Sequence, residues 1–340
     1  MSKFLVTGTA GFIGFHLANA LLEEGEDVVG LDNINDYYDV NLKFARLKEA
    51  GIVREEVSWR VPAQSKKYPA YRFIRQDLED KKGMMKLFEE EGFDYVVHLA
   101  AQAGVRYSID HPDVYIQSNI IGFFNILEAC RHHPVKHLLY ASSSSVYGNN
   151  EKVPFGEDDN VDHPISLYAA TKKSNELMAS TYSNLHGIKA TGLRFFTVYG
   201  PWGRPDMAIW KFTEAMLKGK PIQVFAEGRL LRDFTYIDDI IGGIAAILRR
   251  LDTESPPPVM NIGNNQPVTV NELVSTLNQI LGCQAVIDHF PMQPGDVEKT
   301  YADIKLINKY SGFVPKTKLR QGLEEFCSWY QTFVAQDFKR

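Results

Sequence analysis

Cysteine is scarce in this chain. Three thiols, Cys130, Cys283 and Cys327, are spread over 340 residues. Their odd number and wide spacing exclude a disulfide framework and a CxxC metal pair, which suits a reducing compartment and a cytoplasmic protein. The nine histidines form no metal-ligand cluster, so no metal is expected. No apolar run reaches the roughly 20 residues that a bilayer-spanning helix requires. A strand-like run starts at Lys3 and leaves no room for a signal peptide. There is no long basic tract, and the net charge of −5 argues against a nucleic-acid surface. Internal repeats and low-complexity segments are also missing. What remains is an ordinary soluble globular composition, with a length that suggests two domains or one large one.

The first half alternates between strand-like and helix-like patterns. Phe4–Val6, Val28–Leu31, Tyr71–Ile74, Tyr95–Leu99 and His137–Tyr140 read as buried parallel strands. Helical patterns cover Ile13–Glu24, Gly83–Glu91 and Val114–His132. A further helix and strand follow at Leu167–Leu185 and Lys189–Leu193. This alternation predicts an α/β fold with a doubly wound parallel sheet. Between Asp32 and Tyr71 runs an unusually long connection with one helix, Asn41–Ala50; such insertions are usually functional or mobile. After Arg194 the pattern changes to loops, short strands and amphipathic helices, Val270–Leu281 and Leu319–Tyr330 among them. The reading is a smaller C-terminal α/β lid domain. Residues 1–193 form the first domain, with 234–262 returning to it, and 194–233 with 263–340 form the second.

Gly8, Gly11 and Gly14 bridge the first strand and first helix. The first allows a sharp turn, the second lets a pyrophosphate approach the backbone, and the third lets helix and strand pack closely. Phe12 and Ile13 open the helix whose N–H groups would face the phosphates. The spacing is GxxGxxG, and Asp32 strengthens it. Asp32 ends the second strand 18 residues after Gly14, where a carboxylate grips the adenosine ribose. Its charge would repel a 2′-phosphate, and Asn33 supplies no compensating cation. NAD is therefore favoured over NADP. Asp77 and Leu78, after the third strand of the alternation, are placed to contact adenine.

Tyr168 and Lys172 stand at i and i+4 on one helix face. A phenol, with a reference pKa of about 10, is a poor base near neutrality. A neighbouring ammonium and a positive nicotinamide ring both favour the phenolate. A serine hydroxyl from the run Ser142–Ser145 can complete the proton-transfer site. His98, at a strand end, reads as a packed, hydrogen-bonded core residue.

Together these residues resemble the extended short-chain dehydrogenase/reductase family, and within it the nucleotide-sugar epimerases. The resemblance covers essentially the whole chain. Its motifs are Thr7-Gly8-x-x-Gly11-x-x-Gly14, His98-Leu99-Ala100-Ala101, Ser142 through Gly148, Tyr168-x-x-x-Lys172, and Arg194-Phe195-Phe196-x-Val198-Tyr199-Gly200-Pro201. Three stretches are more specific: Asp32–Lys43, Ala103–Ser108 and Thr197–Ala208. They narrow the resemblance to the branch acting on UDP-hexuronic acids.

The resemblance implies a Rossmann-type NAD-binding domain and a nucleotide-sugar-binding domain. It implies tightly bound NAD, regenerated each cycle, with Leu99, Ala100 and Ala101 beside it. The implied reaction is epimerisation at C4 of a UDP-hexuronic acid, UDP-glucuronate to UDP-galacturonate, through a transient 4-keto intermediate. A UDP-glucose/UDP-galactose 4-epimerase is the alternative, and a non-catalytic dinucleotide sensor a third reading. Aligned on Val146-Tyr147-Gly148, Ser143 takes the family's catalytic Ser/Thr position. Ser144 and Ser145 fall where dehydratases carry an Asp-Glu pair, so dehydration is disfavoured. Arg204 is the candidate to pin the uronate carboxylate, with Thr197 and Ser144 or Ser145 as neutral donors. Arg232 would bind the diphosphate, with Arg106, Lys211 and Phe225 as further substrate candidates and Asp296 near the ribose. Related enzymes form homodimers through the helices at 114–132 and 167–185, where Phe123, Phe124 and Leu127 would suit either a seam or the core.

Overall fold

The buried β-branched and aromatic runs of the first half assemble into one large sheet. In the computed structural model, which describes residues 1–293 and 297–337, the strands in chain order are β1 (Lys3–Thr7), β2 (Asp27–Asp32), β3 (Pro62–Gln64), β4 (Tyr71–Arg75), β5 (Tyr95–His98), β6 (His137–Ser143), β7 (Ala190–Phe195), β8 (Thr197–Tyr199), β9 (Ile222–Phe225), β10 (Leu231–Arg232), β11 (Phe234–Tyr236), β12 (Val259–Ile262), β13 (Val268–Thr269) and β14 (Ile287–Phe290). The helices are α1 (Phe12–Glu23), α2 (Val40–Glu49), α3 (Lys81–Glu91), α4 (Tyr107–Asp110), α5 (Pro112–Tyr115), α6 (Gly122–His132), α7 (Leu167–His186), α8 (Ala208–Leu217), α9 (Ile237–Leu248), α10 (Val270–Leu281), α11 (Lys305–Ser311) and α12 (Leu319–Asp337).

Two compact units divide the chain. The first comprises Met1–Asn149, Asn160–Arg194 and Arg249–Met260, and the second Asn150–Asp159, Phe195–Leu248 and Asn261–Arg340. Of the segment 234–262, residues 249–260 lie in the first unit and the rest in the second.

The eight-stranded sheet of the first unit runs β12-β7-β6-β5-β1-β2-β4-β3. β1 pairs in parallel with β2 on one side and β5 on the other, and β4 and β6 extend the parallel set outward. This is the Rossmann-type doubly wound order. The chain winds away from β1 in one direction and then returns to wind in the other, so β1 and β5 flank the switch point where α/β proteins bind ligands. Their carboxyl ends deliver Gly8 and Leu99. Sheet residues Leu5, Val29, Val96 and Leu138 pack against Met84, Leu87 and Phe88 of α3 and Phe123, Ile126 and Leu127 of α6, all nearly or fully buried.

Two features depart from the sequence reading. The 33–70 connection carries α2 as expected, but also β3, which pairs antiparallel with β4 at the sheet edge. Three residues are too few to show alternation, and Pro62 at the first position is tolerated because it sits on an edge strand. The expected single helix Val114–His132 begins instead at Pro112 and passes through a wide π-helical turn at Ile116–Ile121 before α6. Within that turn Asn119 is 2 % exposed and bonded to neighbouring backbone. Such turns concentrate at functional sites.

The second unit is held by small sheets: β11 with β8, β9 with β14 and β10 with β13. Asp233 is their anchor. Its buried carboxylate accepts from the N–H groups of Asn264 (2.8 Å), Asn265 (3.0 Å) and Ala302 (3.0 Å). Trp202, Trp210, Phe326, Trp329 and Phe333 form an aromatic cluster that ties the 200–205 loop to α8 and α12. Strands of two to four residues carry too few positions to reveal a period, which is why β8, β10, β11, β13 and β14 escape the sequence reading.

Candidate active site

The glycine turn after β1 is built by close backbone approach. Gly8 has a φ of +80°, and a Cβ there would lie 2.9 Å from Ala100 N. A Cβ on Gly11 would lie 2.9 Å, and one on Gly14 2.2 Å, from Gly8 O. Gly8 N–H donates to Leu31 O at 2.6 Å, which seats the turn over β2. Gly11 caps α1 without any side chain, so the first helical N–H groups are not satisfied by a cap. Phe12 is buried and Ile13 half-buried behind the turn. Thr7 Oγ1 ties β1 to the loop after β5. It accepts from Leu99 N and Ala100 N, both at 3.1 Å, and lies 2.9 Å from His98 Nδ1. Burial, followed by the charge of Lys172, lowers the His98 pKa to about 3, so the imidazole is neutral. Leu99, Ala100 and Ala101 are half-buried beside the glycines.

Asp32, 8 % exposed, ends β2 next to this turn. Its carboxylate accepts from Ala10 N (3.2 Å) and Ile34 N (2.8 Å). A carboxylate has about four acceptor positions, so capacity remains for a ribose hydroxyl. Asn33 Nδ2 donates to Asp77 Oδ1 at 3.0 Å, which brings the ends of β2 and β4 together. Leu78 is buried, and its carbonyl accepts from Asn125 Nδ2 at 2.8 Å. One residue passed over in the sequence joins this region. Arg46 of α2, wholly buried, donates to Ala10 O (2.9 Å) and Tyr38 Oη (2.7 Å). The Asp39-capped helix in the long insertion carries it there.

α7 positions the Tyr/Lys pair. Ser166 caps it by accepting from Ala169 N at 3.1 Å, and Gly187 ends it in the left-handed region. Tyr168 is half-buried, its ring edge-on to Tyr115 at 6.1 Å. Lys172 is 2 % exposed and donates to Ala141 O on β6 at 2.8 Å. Burial lowers its pKa to about 8. Asn119 braces this face. It accepts from Gln102 N (2.8 Å) and donates to Thr171 Oγ1 (3.1 Å), while its carbonyl accepts from Asn175 (2.7 Å).

The serine run divides in two. Ser142 donates to Glu176 Oε1 at 2.6 Å and is committed to the core. Ser143 accepts from Ser145 N (3.1 Å) and donates to Ser145 Oγ (3.2 Å). Ser143 is buried, whereas Ser144 and Ser145 are half-buried. A hydroxyl pair thus sits at the end of β6.

The remaining candidates are distributed. Arg106 is exposed at the start of α4 in the first unit. In the second unit, Thr197 and Arg232 lie close in space, because Thr197 N donates to Asp233 O at 3.1 Å. Arg232 donates to Leu231 O (2.9 Å) and Glu298 O (3.3 Å). Arg204 is held by Asp206 in a two-pronged pair, Nε to Oδ1 at 2.9 Å and Nη2 to Oδ2 at 2.5 Å. Phe225 packs against Phe290 with centroids 5.6 Å apart, and Lys211 is exposed on α8. Asp296 lies outside the described residues. Among the described residues no group of three or more His, Cys, Asp or Glu is placed to hold a metal.

Residues 4–263 match the model of the NAD dependent epimerase/dehydratase family. The chain belongs to that family. A probable UDP-glucuronate 4-epimerase of Rhizobium meliloti is 41% identical over 99% of this chain and 98% of its own. UDP-glucuronate 4-epimerase 4 of Arabidopsis thaliana is 45% identical over 98% of this chain and 76% of its own. Among solved structures, UDP-glucuronic acid 4-epimerase from Bacillus cereus, in complex with UDP-glucuronic acid and NAD, superposes with a TM-score of 0.88. It is 34% identical, over 97% of this chain and 99% of that one. The residues present fit NAD: the glycine cradle has no room for a Cβ, α1 starts there without a side-chain cap, and Asp32 is buried beside the turn with acceptor capacity for a ribose hydroxyl.

Two outcomes follow for this family member. Gly14→Ala forces a methyl into Gly8 O, so the purified variant should carry little or no dinucleotide, as measured by chromatography of the acid-released cofactor. Full NAD content would show that the turn yields without cost. Lys172 is an ammonium below about pH 8 and neutral above it, so turnover should decline as pH rises through that value. A kcat profile flat to pH 10 would show that the charge on Lys172 is dispensable.

Proposed function

We propose that this protein is an NAD-dependent UDP-glucuronate 4-epimerase, with Tyr168 as the proton acceptor. The observation that carries the reading is a buried ammonium, bonded to the neutral carbonyl of Ala141 and on the same helix face as Tyr168, combined with a serine turn that lacks any carboxylate. Tyr168 and Lys172 supply proton transfer at a sugar hydroxyl. The absence of an acid/base carboxylate pair at Ser144 and Ser145 removes what dehydration would require. The epimerase relatives named above support the same activity.

Tyr168 takes the proton of the 4-hydroxyl, helped by the Lys172 charge, and returns it after the sugar has turned over. Of the four serines, Ser142 is committed to Glu176, which favours the others as the relay. The Ser143–Ser145 pair fixes the same oxygen and passes its proton. Lys172 also serves the nicotinamide ribose. Bound NAD would supply the hydride acceptor and donor for C4, so none would be consumed.

A 4-keto uronate can lose carbon dioxide if its carboxylate aligns with the carbonyl π system. Arg204 is the proposed clamp against that alignment. Asp206 orients its guanidinium, and a planar guanidinium suits two-point binding of a carboxylate. Thr197, Ser144 and Ser145 are the neutral donors. Arg232 is assigned to the diphosphate, with Arg106, Lys211, Phe225 and Asp296 as further contacts to the nucleotide sugar.

The protein is also proposed to act in the cytoplasm as a homodimer. No helix among the described residues is long and apolar enough to cross a membrane. Phe123 and Leu127 are wholly buried in the sheet-facing core, so they leave no seam. Val114, Ile116, Ile121, Leu177 and Leu185, between 39% and 70% exposed, supply the apolar surface instead.

The function is tested by proton NMR of the purified protein with UDP-glucuronate and no added NAD. A galacturonate anomeric signal with the carboxyl retained supports it. Conversion of UDP-glucose alone would replace it with the neutral-sugar epimerase and leave Arg204 a structural role. Tyr168→Phe should retain its dinucleotide yet lose about 10²–10⁴-fold in kcat, the usual range for a general base; native-like turnover would remove Tyr168 from the chemistry. Arg204→Ala should depress kcat and release carbon dioxide from UDP-glucuronate. Unchanged kinetics without decarboxylation would dispose of the clamp.

A further inference from the structure

Tyr168, Lys172 and Glu176 are spaced four residues apart along α7 and share one face. An ammonium and a carboxylate one turn apart on a helix ordinarily attract each other. Here they do not pair. Lys172 Nζ donates to the neutral carbonyl of Ala141 at 2.8 Å. Glu176 faces Arg194 at the end of β7, with Arg194 Nε to Oε1 and Nη2 to Oε2 both at 2.9 Å. The two side chains are 4% and 5% exposed. Ser142 adds a third donor to Oε1 at 2.6 Å. Arg194 is fixed in turn by Tyr147, whose hydroxyl accepts from Nη1 at 2.9 Å and whose ring centroid lies 4.9 Å from the guanidinium carbon.

We propose that Arg194 is a positioning residue that sequesters the Glu176 carboxylate from Lys172, so that Lys172 remains an unneutralised cation beside Tyr168. The inference rests on the reading of Tyr168 and Lys172 as the proton-transfer pair. Bidentate geometry fills both Glu176 oxygens, which a single-point donor cannot do. Without Arg194, a buried carboxylate would seek the nearest cation. That cation is Lys172, one turn away. Its attachment to Ala141 would be lost and its field at Tyr168 cancelled.

The other groups around this face do not offer Glu176 a substitute. From β5, His98 is neutral, as described. From β6, Tyr140 is held protonated, its pKa raised by burial and then by Glu176. From α5, Tyr115 donates to Ala103 O and Gly104 O. From α6, Glu128 is engaged by Arg131 of its own helix and by Tyr182 farther along α7. Asp110 of α4 is exposed. From the turn after β6, Tyr147 serves Arg194.

The test is a direct titration of Lys172 in the purified holoenzyme labelled with 13C at lysine Cε, the signal assigned by its loss in Lys172→Met. In Arg194→Met the midpoint should rise by about one unit or more, because a carboxylate now faces the ammonium. In Glu176→Gln it should fall, because Arg194 is left as an uncompensated like charge. The double variant Glu176→Gln/Arg194→Met should return to the native midpoint. A midpoint unmoved in Arg194→Met, or moved in the same direction by both single variants, overturns the proposal. If Arg194→Met does not fold, Arg194→Lys replaces it: one ammonium cannot fill both carboxylate oxygens, so a smaller rise is expected and no rise overturns the idea. Turnover of UDP-glucuronate by native protein and Tyr168→Phe is measured alongside. Its failure would remove the catalytic reading, whereas the titration reads the sequestration independently of turnover.

Discussion

The backbone of Gly8 approaches that of Ala100 more closely than any side chain would permit. Much of the first unit depends on that approach. It occurs where β1 and β5 end side by side, at the switch point of the sheet, and Thr7 Oγ1 secures it by taking both N–H groups of the loop after β5. Because the turn is so tight, the N-terminus of α1 points into the space above the sheet with its donors uncommitted. Gly14 then allows α1 to lie against Gly8 O, where any side chain would push the helix away. Dinucleotide binding is therefore a consequence of how two strand ends meet. Buried Arg46 reinforces the turn by donating to Ala10 O.

The second constraint is electrostatic. Lys172 is buried and hydrogen-bonded to a neutral carbonyl, an arrangement that costs stability because an ammonium is taken from water without a counter-ion. The fold tolerates this on a helix tightly tied elsewhere, by the Ser166 cap, the Asn119 network and the Glu176–Arg194 pair. Burial of a paired charge is weak support for stability in itself. Its placement here gives α7 a fixed rotation against β6 and β7, and a lysine whose charge is not dispersed.

Much of this organisation can be read from the chain because it rests on period and spacing. Alternating strands and helices, the three glycines, Asp32 18 residues downstream and Tyr168 with Lys172 on one face are local patterns. What escapes is non-local. Ser142 and Ser143 are neighbours of one residue type, and only their partners, Glu176 for one and Ser145 for the other, separate them. Arg46 lies in an insertion whose destination no pattern reveals. Phe123 and Leu127 fit a core and a seam equally well until the sheet is seen to cover them. Glu176 had a legible signal in its spacing from Lys172, but that spacing alone points to the wrong partner.

The serine turn shows how one scaffold supports distinct chemistries. A carboxylate at Ser144 or Ser145 would bring a further titratable group to the end of β6. It would also offset the positive field that Lys172 maintains. With hydroxyls there, the proposed site has Tyr168 as its one proton acceptor and Lys172 as its cation, with no carboxylate at 143–145 to expel water from a sugar. On the proposed reading, a neutral 143–145 turn and a sequestered Glu176 serve one end: negative charge is kept away from Lys172, and the proton chemistry is confined to moving one proton out and back.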